Sequence, residues 1–364
     1  MAEWRGSKLR IATIGCGRMG ARTTPAMRVH GPEHMRVLSH LEAVRSLGLA
    51  DRLGACDTSV EALRAAEATY ELDFVSTDYR AMLEAFRPDI LTIATRTPGR
   101  RVIIEAAVEA GVRGLHVEKP LCNSAAELES IRELVEGHDV LMTSGCIRRF
   151  LDVFAAAGAA FREEEMGPLR YVQIGLGFAP LMWTQFHAID LILYYAGAAR
   201  RLEWIQANLQ GVEWQSEDAV ANDPRVVSAN LQFDDDFTGQ IGQVPGNTTI
   251  LGSAAHQVEI FADGRVVYRT RRANPADLYV VKEQVLLDRG FLSGTQAPLW
   301  YLAKGLTGDA VARDRVVRSR KDFLTAQKVI FAMIESDRSG GRRLEFGDYV
   351  PSLTVWGRSG SLYA

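Results

Sequence analysis

The chain has 364 residues, enough for two buried cores, and its 47% hydrophobic and 24% charged residues exclude a disordered chain. With 42 Lys and Arg against 45 Asp and Glu the net charge is −3, which argues against general nucleic-acid binding. No apolar run approaches the roughly 20 residues a bilayer span needs, and none follows the basic residues of the opening MAEWRGSKLR, so neither a membrane span nor a secretory signal is expected.

Residues 9–14 form a short apolar run ending in glycines, the pattern of a buried parallel strand. A helix is expected from Arg18. A strand at 52–57 and a helix at 60–70, capped by Thr58 or Ser59, come next. Then follow a minor strand at 74–76, a short helix at 79–86, a strand at 90–95 and a helix at 99–110 closed by Gly111. A strand at 115–118, a helix at 124–135 and a strand at 140–143 complete the series. Such alternation predicts a mostly parallel sheet with helices on both faces. Residues 30–49 break the rhythm; the segment exceeds a plain crossover and suggests an extended or added helix.

Past residue 150 the pattern changes. A helix at 153–165, a strand at 169–176 and a strongly apolar helix at 186–195 ending at Gly197 precede six strand candidates: 202–209, 226–233, 238–244, 248–252, 257–261 and 266–269. Turn signals at 234–236, 245–247 and 263–264 separate them, which predicts an antiparallel sheet and an α+β second domain. Helices are expected again at 297–306 and 323–336. The domain reading is therefore an α/β domain over 1–145 and an α+β domain over 146–364. Cys16, Cys56, Cys122 and Cys146 are scattered without a CxxC pair, which suits free thiols in a reducing cytosol and gives no zinc-site spacing.

Gly15-Cys16-Gly17-Arg18-Met19-Gly20 is a G-x-G-x-x-G directly after a strand. The first glycine permits a tight turn, the second lets a pyrophosphate approach the backbone, and the third lets helix and strand pack closely. A helix N-terminus there would offer N–H groups to phosphates. Asp57, at the end of the second strand, suits the ribose 2′-hydroxyl and repels a 2′-phosphate, favouring NAD over NADP; it could instead cap the next helix. Glu118-Lys119-Pro120 follows a strand at the carboxyl edge where such folds bind ligands. Lys119 there could hydrogen-bond a reacting oxygen or exchange a proton, or be a surface lysine.

With these motifs the chain resembles the Gfo/Idh/MocA oxidoreductases of the glucose-fructose oxidoreductase and inositol dehydrogenase types. The resemblance rests on the glycine motif at 15–20, Asp57, Ile93-Ala94-Thr95-Arg96-Thr97-Pro98 and Ala110-Gly111 leading into Glu118-Lys119-Pro120. It continues through Gly145, Arg148-Arg149-Phe150 and His187-Ala188-Ile189-Asp190, strongly to about residue 200 and loosely beyond. It implies a Rossmann domain (a doubly wound parallel sheet) followed by an α+β domain with an open, mostly antiparallel sheet that forms the oligomer interface. It further implies that Lys119 precedes a cis proline, Glu118 lies near the nicotinamide ribose, and Thr95 and Thr97 lie near the cofactor. His187 matches the usual catalytic or substrate-binding histidine and Asp190 the acid one turn later.

Two positions depart from the family pattern. Trp183 stands four residues before His187, where many members carry an aspartate that could tune the lysine or relay a proton. Such a Trp can stack on a sugar or aromatic face. Val102 stands where many members place His. His187 could also be a core or capping histidine, Asp190 could orient it or cap the helix, and Arg149 could bind an anionic group or make an internal ion pair.

The expectation is a cytoplasmic NAD-dependent dehydrogenase acting on a secondary hydroxyl or ketone of a sugar, cyclitol or polyol, with Lys119 and His187 as catalytic residues. The cofactor would be held by Gly15, Gly17, Arg18, Met19, Gly20, Asp57, Thr95, Thr97, Glu118 and Lys119. The substrate would meet Lys119, Arg149, Trp183, His187 and Asp190, with Gln185 and Tyr301 as further lining. No metal, nucleic-acid or membrane partner is expected, and a homodimer or homotetramer is implied. Two alternatives are a redox-neutral epimerase or lyase using bound NAD, and a non-catalytic NAD-binding sensor.

Overall fold

Six short strands, β1 (Leu9–Ile14), β2 (Ala50–Cys56), β3 (Phe74–Ser76), β4 (Ile90–Ile93), β5 (Gly114–Val117) and β6 (Leu141–Ser144), pair in parallel in the order β3-β2-β1-β4-β5-β6. The computed structural model describes residues 6, 8–162, 166–262, 264–270, 280–284, 292–347 and 352–357; Asp263, read above as part of a turn, lies outside them. β4, β5 and β6 are buried at every position, as parallel strands covered on both faces must be. The helices α1 (Pro25–His30), α2 (His40–Leu47), α3 (Val60–Glu67), α4 (Tyr79–Phe86), α5 (Arg100–Glu109) and α6 (Ala125–Gly137) intervene. The strand order reverses between β1 and β4, the switch point at which an open α/β sheet opens a crevice at its carboxyl edge.

The helix expected from Arg18 is only a turn over 18–21. The Ala21 N–H donates to Gly17 O at 2.8 Å, a helical bond. Residues 23 and 24 do not continue the ladder. Instead the His40 and Leu41 N–H groups donate to Met19 O at 2.8 Å and Gly20 O at 2.9 Å. His40 thus occupies the helical position of residue 23, and the 17 residues 23–39 (40 − 23) are an excursion from one interrupted crossover helix. Setting them aside shortens the interval from Gly20 to Asp57 from 37 residues to 20, the ordinary spacing. The extra segment is therefore 23–39 and not 30–49: α2 itself, with His40, Leu41, Ala43, Val44 and Leu47 buried at helical spacing and Gly48 closing it at φ 64°, is the crossover helix.

By backbone contacts the chain divides into two units, Met1–Ile147 with Gly290–Leu324 and Arg148–Arg289 with Thr325–Gly357. In the second unit α7 (Asp152–Arg162) and α8 (Phe186–Ala196) accompany a nine-stranded sheet. Its strands are β7 (Tyr171–Gly175), β8 (Leu202–Gln210), β11 (Arg225–Phe233), β12 (Thr238–Gly242), β13 (Thr248–Gly252), β14 (Gln257–Ile260), β15 (Val266–Thr270), β16 (Val280–Gln284) and β17 (Leu344–Glu345). They run in the order β16-β15-β14-β13-β7-β12-β11-β8-β17, antiparallel except for the β7–β12 pair. The six strand candidates are all present. A small sheet of β9 (Trp214–Ser216), β10 (Ala219–Val220) and β18 (Thr354–Val355) was not legible in the sequence, because two- and three-residue strands leave no periodicity. α8 lies so close to the sheet that a Cβ on Gly239 of β12 would sit 2.2 Å from Ile192 Cγ2.

The first unit recruits α9 (Gln296–Leu306), which packs on α2, β5 and β6 and adds Leu299, Leu302 and Ala303 to the core of Leu9, Ile11, Leu41, Val44 and Ile90. α10 (Ala310–Arg338) is longer than the 323–336 expected, and its first half belongs to this unit. The residues before α9 anchor the excursion: Gly294 N–H to His34 O at 2.8 Å, Thr295 N–H to Val37 O at 2.8 Å and Thr295 Oγ1 to Leu38 O at 2.7 Å. Among the described residues no helix is long and apolar enough to cross a membrane.

Candidate active site

Three glycines shape the turn after β1. Gly15 has φ 93°, and a Cβ on it would lie 2.9 Å from the Ala94 carbonyl. A Cβ on Gly20 would fall 1.6 Å from Gly15 O, so the turn closes only on glycine there. At Gly17 a Cβ would meet nothing within 4 Å, so this stretch of backbone faces open space. Two tight glycines around one open one is the cradle a pyrophosphate needs. Arg18 and Met19 complete the turn, and Met19 O receives α2.

Asp57 follows β2 and fastens this turn. Its Oδ2 accepts the Cys16 N–H at 2.7 Å, and its Oδ1 accepts the Ser59 N–H at 2.8 Å. Ser59, not Asp57, caps α3, its Oγ accepting the Ala62 N–H at 3.1 Å. Burial, reinforced by the Asp57 charge, pushes the Cys16 and Cys56 thiols up to about 12. All four cysteines are buried, and none forms a disulfide.

Beyond β4, Thr95 Oγ1 is buried without a hydrogen-bond partner, a polar atom for which an incoming ligand would supply one. Thr97 is buried, and its carbonyl accepts the Arg100 N–H. Beyond β5 the Lys119–Pro120 peptide is cis. From Gly114 to Asn123 every residue is buried except Lys119, which is half-buried, so the lysine is the one side chain this stretch presents.

Arg100 was missed in the sequence. Its side chain is buried, and its guanidinium donates to the carbonyls of Glu118, Pro120 and Thr95. It therefore staples the segments after β4 and β5 together and fixes the backbone on either side of Lys119. Burial lowers it to about 10, opposed by Glu118, so it stays a cation at neutral pH. The available signal was a cation in the first turn of α5, where the helix dipole disfavours one.

The Glu118 carboxylate points inward. Its Oε1 lies 3.2 Å from His40 Nε2, and a Cβ on Gly145 would come within 2.6 Å of it. Burial raises its pKa, but the His40 hydrogen bond and the His40, Lys119 and His116 charges outweigh this and hold it at about 2. The rings of His40 and His116 meet edge to face, 4.7 Å between centroids. Burial, aided by His40, lowers His116 to about 3.

In the second unit, Leu181–Gln185 is a π-helical turn that runs into α8. Such turns concentrate at functional sites. Asp223 holds it, accepting the Met182 N–H at 2.8 Å and the Trp183 N–H at 3.0 Å; it lies 40 residues away and had no signal in the sequence. From 181 to 196 only Trp183, Thr184, His187 and Tyr194 are not buried. Trp183 and His187 therefore share the accessible face of this helix. Gln185 is buried and donates to Gly177 O at 2.9 Å.

Arg149 and Asp190 were expected to meet a substrate. Both are buried and spent on each other, Arg149 Nε lying 3.2 Å from Asp190 Oδ2 and the guanidinium stacking over Tyr194 at 5.4 Å. This is an internal ion pair behind the accessible face, not a charged pocket wall. Tyr301 lies on α9 in the first unit, under Arg315 at 4.1 Å, and lines that unit's core.

Residues 9–146 match the model described as the oxidoreductase family, NAD-binding Rossmann fold. D-apiose dehydrogenase of Paraburkholderia graminis is 30% identical over 129 residues, 35% of this chain and 34% of its own length. Myo-inositol dehydrogenase Hyg17 of Streptomyces leeuwenhoekii is 27% identical over 246 residues, covering 63% of this chain and 67% of the relative. The matched stretch thus spans about a third of the first of these relatives. An oxidoreductase domain protein of Kribbella flavida has the same fold (TM-score 0.71, 17% identity, 94% of this chain, 100% of the other). So does an inositol dehydrogenase homolog of Azotobacter vinelandii, solved with NAD+ (TM-score 0.68, 16% identity, 94% and 99%). Over residues 9–146 the chain is thus similar to the NAD-binding Rossmann domain of the Gfo/Idh/MocA oxidoreductases.

Proposed function

We propose that the chain is an NAD-dependent dehydrogenase that moves a hydride between the nicotinamide and a secondary hydroxyl or ketone of a sugar, cyclitol or polyol. One observation carries the reading: on one sheet edge, the open backbone at Gly17 between the tight Gly15 and Gly20 follows β1, and Lys119 alone is presented after β5. The named relatives, an apiose and an inositol dehydrogenase, supply the substrate class.

In this reading the backbone from Gly15 to Gly20 holds the pyrophosphate and Asp57 the ribose hydroxyls, which favours NAD over NADP. Thr95 and Thr97 lie beside the nicotinamide half. The bound dinucleotide supplies the hydride acceptor. Lys119 polarises the substrate oxygen and His187 takes its proton, while Trp183 offers a stacking face to the sugar ring. The Glu118 carboxylate and the Lys119 ammonium attract each other, and the Arg149–Asp190 pair braces the helix that carries His187. The working form is a homodimer or homotetramer, which light scattering on the purified protein will size.

Calorimetry with NADH and NADPH, followed by an NAD-linked activity screen over pentoses, hexoses and inositols, tests the proposal. Lys119→Ala is expected to lose about 100-fold or more in kcat while NADH affinity stays within about threefold, since in this reading the lysine ammonium acts on the substrate oxygen. No affinity for either nucleotide, or near-normal turnover in that variant, overturns it.

A further inference from the structure

Behind the sheet edge lies a cluster that takes no step in the reaction above. His40 from α2 and His116 and Glu118 from β5 and its end each offer one ligand atom, and these atoms lie within 4.8 Å of one another. Both imidazoles are fully buried and Glu118 is 6% exposed. We propose that His40, His116 and Glu118 form a binding site for one divalent cation of the zinc class.

The donor set is two imidazoles and a carboxylate, a combination that zinc and its neighbours take with a fourth position left for water. His40 Nε2 and Glu118 Oε1 lie 3.2 Å apart; donors about 2.0–2.1 Å from a tetrahedral ion lie roughly 3.3 Å apart. On His116, Nδ1 is engaged with Thr143 Oγ1 at 3.0 Å, and Nε2 is buried with no hydrogen-bond partner. A hydroxyl on one ring nitrogen and an open lone pair on the other is the outer-shell pattern of a metal-ligating histidine. Buried ring nitrogens ordinarily find a partner, and a cation would supply one to His116 Nε2. Ligation through His40 Nε2 moves that ring's proton to Nδ1. The cation would offset the charge of a buried carboxylate and tie α2 to the end of β5.

The setting supports a site built into the sheet. Thr13, Thr92, His116 and Thr143 sit at one level across β1, β4, β5 and β6, all fully buried, where a parallel sheet core is normally apolar. Thr13 and Thr92 satisfy each other at 2.8 Å. His116 is the member of this row left with an open nitrogen beside a carboxylate.

The test uses the full chain, freed of any affinity tag and dialysed against a chelator. Calorimetry with Zn2+ is expected to give one equivalent per chain. Co2+ is expected to give visible d–d bands without the near-ultraviolet thiolate band that Cys16, Cys56, Cys122 or Cys146 would produce. His116→Leu and Glu118→Gln are each expected to weaken Zn2+ binding more than about tenfold. X-ray absorption at the zinc edge of the unmodified protein, expected to show two imidazoles and no sulfur, decides the matter should a variant fail to fold. No uptake of Zn2+, a sulfur neighbour, or affinity within twofold of normal in both variants overturns the proposal.

Discussion

Gly15, Gly17 and Gly20 look equivalent in the motif and are not equivalent in the molecule. Gly20→Ala puts a methyl 1.6 Å from a backbone oxygen, so the turn must open, and a loss of about 3 kcal/mol or more in urea unfolding is expected. Gly17→Ala meets nothing in the protein. Its stability should stay within about 0.5 kcal/mol, while NADH affinity measured by calorimetry falls at least about tenfold if the pyrophosphate takes that space. Equal behaviour of the two variants in both measurements contradicts the assigned roles. The thiols next to this turn give a second check. Because burial and Asp57 push Cys16 and Cys56 up to about 12, the thiolate is scarce at pH 8. Iodoacetamide should leave both unmodified in the folded chain at pH 8 and alkylate them in urea, as mass spectrometry of their peptides would report.

At the scale of elements, the interrupted crossover helix organises this side of the first unit. Its hydrogen-bond ladder passes from Met19 and Gly20 directly to His40 and Leu41, so residues 23–39 are not needed to build the helix. Excising 23–39 should leave a cooperative fold with NADH affinity within a few-fold. The melting temperature should fall by several degrees, because the bonds from 293–296 to His34, Val37 and Leu38 are lost. Loss of the cooperative transition refutes the splice. The same helix explains why the sequence misled here: hydrophobic periodicity assumes that a helix is continuous in the chain, and this one is continuous only in space. The helix expected from Arg18 is a single turn at 18–21 for that reason, with the six-residue α1 lying inside the excursion. The elements with uninterrupted patterns, such as Tyr79–Phe86 and Thr248–Gly252, were legible to the residue.

For the whole molecule, the consequential feature is that the first unit is discontinuous. Leu299, Leu302, Ala303 and Val316 belong to the same buried cluster as Leu9, Leu41 and Ile90, and a Cβ on Gly114 would strike Leu306 at 2.7 Å. Burial of each Leu or Val contributes about 1.5–3 kcal/mol, so together they rival the 5–15 kcal/mol that holds an ordinary domain. A fragment ending at residue 147 is therefore expected to lack a cooperative thermal transition by circular dichroism. The same fragment joined by a flexible linker to 290–324 should regain one. Cooperative folding of the shorter fragment would show that the returning segment is dispensable.

The sequence by itself determined the local grammar of this protein: the βα alternation, the glycine motif, the acid after β2, the lysine after β5 and the apolar helix headed by His187. Each of these is written in neighbouring residues, through periodicity, turn chemistry and spacing. The tertiary structure alone decided what side chains far apart in the chain do to one another. It pairs Arg149 with Asp190, turns Glu118 toward His40, lets Arg100 staple two loops and brings His116 into the same cluster. Partnership between buried polar groups is set by the packing of whole elements, and His40 with Glu118 or Arg149 with Asp190 stand too far apart in the chain for one window to hold both.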